Sequence, residues 1–184
     1  MSIIRKRGFW ISLIASLMLL GAGLASVTPA KAATEVKISL TSSPTWCANV
    51  ENHDNVVNQP VWLWKCSGGV DLEWIEDSNE QGCIDGGDQN GCFAFEDAQD
   101  TSLCLGAPVG QYYDLELVAC GSTRSLWYNN ASAGSTGPGN LESGAYGDSH
   151  TMAADGVTTA LENGAQIVAA GYPPPSGYWW TWSW

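Results

Sequence analysis

Basic residues are scarce in this chain. Seven Lys and Arg stand against nineteen Asp and Glu among 184 residues, a net charge of -12. Such a surface repels phosphate backbones and anionic lipid, which excludes nucleic-acid binding as a primary role. Solubility accounts for most of these carboxylates. Sustained helical periodicity is missing as well, and apolar residues come in short or alternating runs broken by Gly, Pro, Asn and Asp. This pattern predicts an all-β chain with long turns. There is no C-x-x-C pair, and the two histidines, His53 and His150, are far apart, so no metal site is expected. The loop DGGDQN, Asp85 to Asn90, has carboxylates suited to calcium but not the D-x-[DN]-x-[DN]-G spacing. No G-x-S-x-G occurs, and no nucleophile, base and acid form a coherent set, so the chain reads as non-catalytic and needs no cofactor.

One long apolar run is present, at the N-terminus. Arg5-Lys6-Arg7 precedes apolar residues from Gly8 to about Val27, and Ala30-Lys31-Ala32 follows. The order of positive region, apolar region and small-residue cleavage site predicts a secretory signal over residues 1–32 and a secreted, extracellular protein without membrane insertion. The alternative, an uncleaved anchor, is disfavoured by the Ala-x-Ala that follows the run. Residues 33–184 then form one domain of ordinary size. They keep Lys37, Lys65 and Arg124 against nineteen acids, a net charge of -16.

All six cysteines, at 47, 66, 83, 92, 104 and 120, fall in this domain. An even number in an exported protein predicts three disulfides, and counting alone leaves many connectivities open. Large aromatic side chains cluster near the cysteines. In VWLWKCSGGVDLEW, Val61 to Trp74, period two points Trp62 and Trp64 to one face of a strand and Val61, Leu63 and Lys65 to the other.

The unit recurs. Aligned on their second cysteines, V-W-L-W-K-C and L-E-L-V-A-C correspond position for position, and a tryptophan follows each, Trp74 and Trp127. A fainter copy starts at Asn140-Leu141-Glu142, with Leu141 in the place of Ala48 and Leu105. It continues through AQIVAA, Ala165 to Ala170, to Trp179-Trp180, and Asn140 and Ala170 replace the two cysteines together. Trp74 and Trp127 are 53 residues apart, and Trp179 or Trp180 follows after 52 or 53, which marks an internal repeat. Strands are expected near residues 36–40, 46–50, 61–66, 115–120, 141–145 and 165–170.

Paired cysteines, an alternating strand and a closing tryptophan resemble the ricin B-type lectin repeat. The resemblance covers about residues 46–184. The family's Q-x-W is reduced here to Leu72-Glu73-Trp74, Ser125-Leu126-Trp127 and Gly177-Tyr178-Trp179. It implies a β-trefoil of three imperfect repeats, about 46–80, 103–130 and 140–184, with Trp74, Trp127 and one of Trp179 or Trp180 in the core. It also implies the pairs Cys47 with Cys66 and Cys104 with Cys120, which leaves Cys83 to Cys92. Closing loops of this size is worth roughly 3 kcal/mol each.

For function, the resemblance implies a galactose-type site: an acid two residues after the first cysteine, a Gln four before the second and an aromatic platform two before it. Carboxylate and amide hold sugar hydroxyls while the ring covers the apolar sugar face. Repeat one offers Asn49, Trp62 and Trp64 at these places, with Asp71 at the rim. Repeat two, with Gly106, Glu116 and Val118, has no platform and reads as inactive. Repeat three offers Glu142 and Gln166 but has Val168 where the ring belongs, with Tyr172 or a late tryptophan as a substitute. The expected partners are glycans, galactose-type sugars first. The other reading is a trefoil whose sugar sites have decayed and which serves as a protein-binding accessory subunit of a secreted toxin or enzyme.

Overall fold

The computed structural model describes residues 34–67, 72–78, 92–129, 139–155, 161–174, 176, 178 and 181–184. The leader, Asp71, Cys83, the DGGDQN loop and Trp179-Trp180 lie outside the described residues. Among the described residues there are strands and short 3-10 turns and no α-helix, so the chain is all-β as its patterning predicts.

Strands β1 (Glu35–Val36) and β2 (Ser39–Leu40) come first, and three sets of strands follow. The first set is β3 (Ser43–Val50), β4 (Val61–Lys65), β5 (Trp74–Asp77) and β6 (Ala94–Asp97). The second is β7 (Leu103–Gly106), β8 (Glu116–Ala119), β9 (Trp127–Asn129) and β10 (Leu141–Ser143). The third is β11 (Gly147–Ala154), β12 (Ala165–Ala170) and β13 (Trp182–Ser183). Among the described residues three strands remain for the third set, and β2 supplies the fourth by pairing with β13, Leu40 opposite Trp182.

The register makes the three units equivalent. Across the opening hairpin of each, Ala48 faces Leu63, Leu105 faces Leu117 and Met152 faces Ala169. Each closing tryptophan donates its indole N–H to the first member of that pair: Trp74 to the Ala48 carbonyl at 3.2 Å, Trp127 to Leu105 at 2.9 Å and Trp182 to Met152 at 2.9 Å. All three indoles are fully buried. A ring of that size supplies much of the apolar area of a small β core, and the carbonyl satisfies a donor that would otherwise be costly to bury. Three four-stranded units closed by three equivalent indoles make a β-trefoil.

Two expectations about the third unit are corrected. Its core tryptophan is Trp182, two residues beyond Trp180. Leu141 is not the partner of Ala48 and Leu105, because β10 closes the second unit and pairs with β9. The place belongs to Met152 on β11, a strand the sequence pattern did not predict. Thr151 therefore stands where Cys47 and Cys104 stand, and Tyr172, two residues past β12, stands where Cys66 and Cys120 stand. The disulfides Cys47–Cys66 and Cys104–Cys120 form in the first two units. Cys92 is also disulfide-bonded, and its expected partner Cys83 is outside the described residues.

Strand alternation sorts the side chains. Val61 and Leu63 of β4 and Ile167 and Ala169 of β12 point into the common core. Their neighbours, Trp62, Trp64 and Gln166, point outward, and the candidate site is built from them.

Candidate binding site on the outer face of β4 and β12

β4 lies between β3 and β12. Asn49 on β3 faces Trp62 on β4, and Trp62 faces Gln166 on β12, so the three side chains form one outward row. The backbone N–H of Asp155 donates to the Gln166 carbonyl at 2.9 Å, which continues the row onto the next strand. Asn49 is nearly covered, Trp62 half-buried and Gln166 exposed.

Trp64 is 40% exposed at the neighbouring place on β4. Gly164 lies beside it, with φ +84, and a Cβ there would sit 3.7 Å from the Trp62 ring and 3.8 Å from the Trp64 ring. Its left-handed backbone, easy for glycine alone, turns the chain into β12 alongside both indoles. Asn163 holds the same turn, its Oδ1 accepting from the Lys65 backbone N–H at 3.1 Å.

The acid of this site comes from another unit. Asp114, in the loop between β7 and β8, forms an isolated bridge with Val168. Its Oδ2 accepts from Trp62 Nε1 at 3.4 Å and from Gln166 Nε2 at 3.5 Å. Both bonds are long, so the carboxylate retains acceptor and donor-matching capacity for a ligand. Partial burial pushes the Asp114 carboxyl above the ordinary carboxylate range, and the bonds from Trp62 and Gln166 offset only part of that rise. Comparing positions within each repeat could not find Asp114, because it serves the unit before its own. The one signal was Tyr112-Tyr113-Asp114, two aromatics and an acid together in the loop between β7 and β8.

Glu142 does not join this site. It is fully buried on β10, where Tyr128 Oη donates to its Oε2 at 2.6 Å, and β11 separates it from Gln166. The expected Glu142–Gln166 pair is thus not a pair, and a carboxylate with no surface cannot hold a sugar hydroxyl. Gln166 meets Asp114 instead. His53 sits in a 3-10 turn at Glu51–His53.

The equivalent outer faces of the other units are closed. In the second, the methyls of Val118 lie 2.5 and 2.6 Å from where a Cβ on Gly106 would be, and Glu116 is ion-paired with Arg124. Arg124 is held in turn by the Ala107 carbonyl at 2.7 Å. In the third unit the places of Asn49, Trp62 and Trp64 are held by Ala153, Val168 and Ala170, all buried. Beyond them Tyr112 and Tyr178 meet with ring centroids 6.3 Å apart. Trp184 packs on Phe93 and Phe95 instead of on this face.

Among the described residues no cluster of His, Cys, Asp and Glu could hold a metal ion, and no helix is long and apolar enough to cross a membrane.

Known structures of the same shape agree with the threefold register. The chain is similar to the designed threefold-symmetric protein ThreeFoil, with TM-score 0.58 and 17% identity over 81% of this chain and 96% of that one. It is similar to the β-trefoil lectin of the Vibrio vulnificus hemolysin/cytolysin, solved with N-acetyl-D-lactosamine bound, with TM-score 0.55 and 16% identity over 83% and 96%. It is also similar to the cytolethal distending toxin of Actinobacillus actinomycetemcomitans, with TM-score 0.58 and 12% identity over 81% and 88%. These likenesses place the chain among β-trefoil proteins. No family model and no curated protein matches its sequence. At such identities the shared property is the fold, and function has to be argued from the site.

Proposed function

We propose that this chain is a secreted, non-catalytic carbohydrate-binding protein of the ricin B-type kind, with its sugar site on the outer face of the first unit. The observation that carries the reading is the half-exposed Trp64 indole on the same outer face of β4 as Trp62, whose indole N–H donates, with the Gln166 amide, to the Asp114 carboxylate. An exposed ring offers the flat apolar surface that the C–H face of a galactose-type sugar covers, and a charged acceptor next to an amide holds hydroxyls. Asn49 and Trp62 shape the floor. A lone site of this kind binds with millimolar affinity, about 4 kcal/mol. Disulfides in the first two units suit an oxidising, extracellular setting.

A second reading has its own support. Among the described residues, the places in units two and three equivalent to Asn49, Trp62 and Trp64 carry no open polar set, which fits a trefoil that serves as a protein-binding subunit, and one similar structure is a toxin. A glycan array probed with the secreted protein separates the two. Retention of galactose-terminated glycans that disappears in Trp64→Ala supports the first reading, and an array with no signal above background sinks it.

A further inference from the structure

We propose that the sugar site runs along β12 from Trp64 to Tyr112 and Tyr178, and that its ligand is a neutral linear oligosaccharide and not a single sugar. This rests on the glycan reading above. Trp64 stands level with Gly164, Trp62 with Gln166 and Asp114 with Val168. Tyr112 donates its backbone N–H to the Ala169 carbonyl at 2.6 Å and comes level with Ala170. At about 3.3 Å per residue, the strip from Gly164 to Ala170 is ~20 Å long, which is longer than one pyranose ring covers.

Each end carries an aromatic surface. Tyr112 is 50% exposed and Tyr178 tilts against it. Burial, then the charge of Asp155, holds the Tyr178 hydroxyl above its ordinary range. Between the ends stand Asp114, Gln166 and Asp155. An elongated chain would stack a ring at either end and give its hydroxyls to the acids between.

Charge sets the class of glycan. Lys65 Nζ lies over the Trp46 ring, 5.7 Å from its centroid, and Arg124 is engaged by Glu116. Lys37 lies between β1 and β2, which pair with β5, β3 and β13 and not with β4 or β12, so none of the three serves the strip and a sialic-acid or sulfate group there would meet carboxylates without a cation to receive it.

Titration calorimetry with galactose, N-acetyllactosamine and the linear tetrasaccharide of two N-acetyllactosamine units tests this. The tetrasaccharide should bind about tenfold tighter than galactose, the worth of one more stacked ring, and a terminal sialic acid should remove most of that gain. In Tyr112→Ala the ratio of tetrasaccharide to galactose affinity should fall to near one, and Tyr178→Ala gives the same readout if Tyr112→Ala fails to fold. A tetrasaccharide no tighter than galactose, or a ratio unchanged in both variants, overturns the extended site and leaves the simpler glycan site standing. Failure of every one of these glycans to bind overturns both.

Discussion

Leu63 and Leu117 occupy the same place in the first and second units and are equally buried, yet one residue further on Trp64 is 40% exposed and Val118 only 3%. The inner faces coincide because both feed one core and must match it in volume. The outer faces answer to no such constraint. Asn49 pairs with Trp62 in one unit and Gly106 with Glu116 in the other. A glycine leaves room, Val118 folds into it, and Arg124 neutralises the remaining acid. Repetition in a trefoil therefore preserves the tryptophan beneath the hairpin and says little about the side chains above it.

The comparison can be broken most directly from within. Trp74→Ala and Trp127→Ala should each cost about 3–5 kcal/mol as core cavities, read from chemical denaturation midpoints, and strongly unequal losses would show that the inner faces are not equivalent. On the outer faces the two units should respond oppositely. Val118→Ala should cost about 1–2 kcal/mol for two buried methyl groups and leave retention on a galactoside resin unchanged. Trp64→Ala should abolish retention with little change in Tm. A loss of stability for Trp64→Ala as large as that for Trp74→Ala would make the aromatic strand part of the core.

The smallest expected effect concerns charge. Burial raises the Asp114 carboxyl, so the folded protein keeps that proton at pH values where the unfolded chain has already released it. The resulting stability is present below the ordinary carboxylate range and is lost as pH rises through the elevated value. Asp114→Asn keeps acceptors for Trp62 and Gln166 and removes this loss. The Tm of Asp114→Asn relative to the native protein should accordingly rise from about pH 3 to about pH 7, while sugar retention weakens. A relative Tm that falls over that range would contradict the assigned direction.

What was legible in the sequence follows the same division. Period two in Val61 to Lys65 correctly separates Leu63 from Trp64, and the spacing of Trp74 and Trp127 finds two of the three core indoles, because packing forces those patterns. The third was displaced. Asn140-Leu141-Glu142 imitates a repeat start with an apolar residue between polar ones, although its role is to close the preceding unit. The true start, His150-Thr151-Met152, has lost the cysteine that would have marked it. Asp114 left no periodic trace beyond the local run Tyr112-Tyr113-Asp114, because its partners, Trp62 and Gln166, lie in units on either side of its own, and a contact between repeats has no periodicity.

The pairing of β13 with β2 bears on the order in which the molecule assembles. The hydroxyls of Ser39 and Ser183 meet at 3.0 Å across 144 positions of chain, whereas the disulfides of the first two units span 19 and 16. Closing the longer loop demands more chain entropy before any contact rewards it, and topologies dominated by such contacts fold slowly. Thr151 and Tyr172 provide no crosslink in compensation. The third unit thus joins the two ends of the domain through β13 and β2, whereas β12, which carries Gln166, is held directly by its pairing with β4 on one side and β11 on the other.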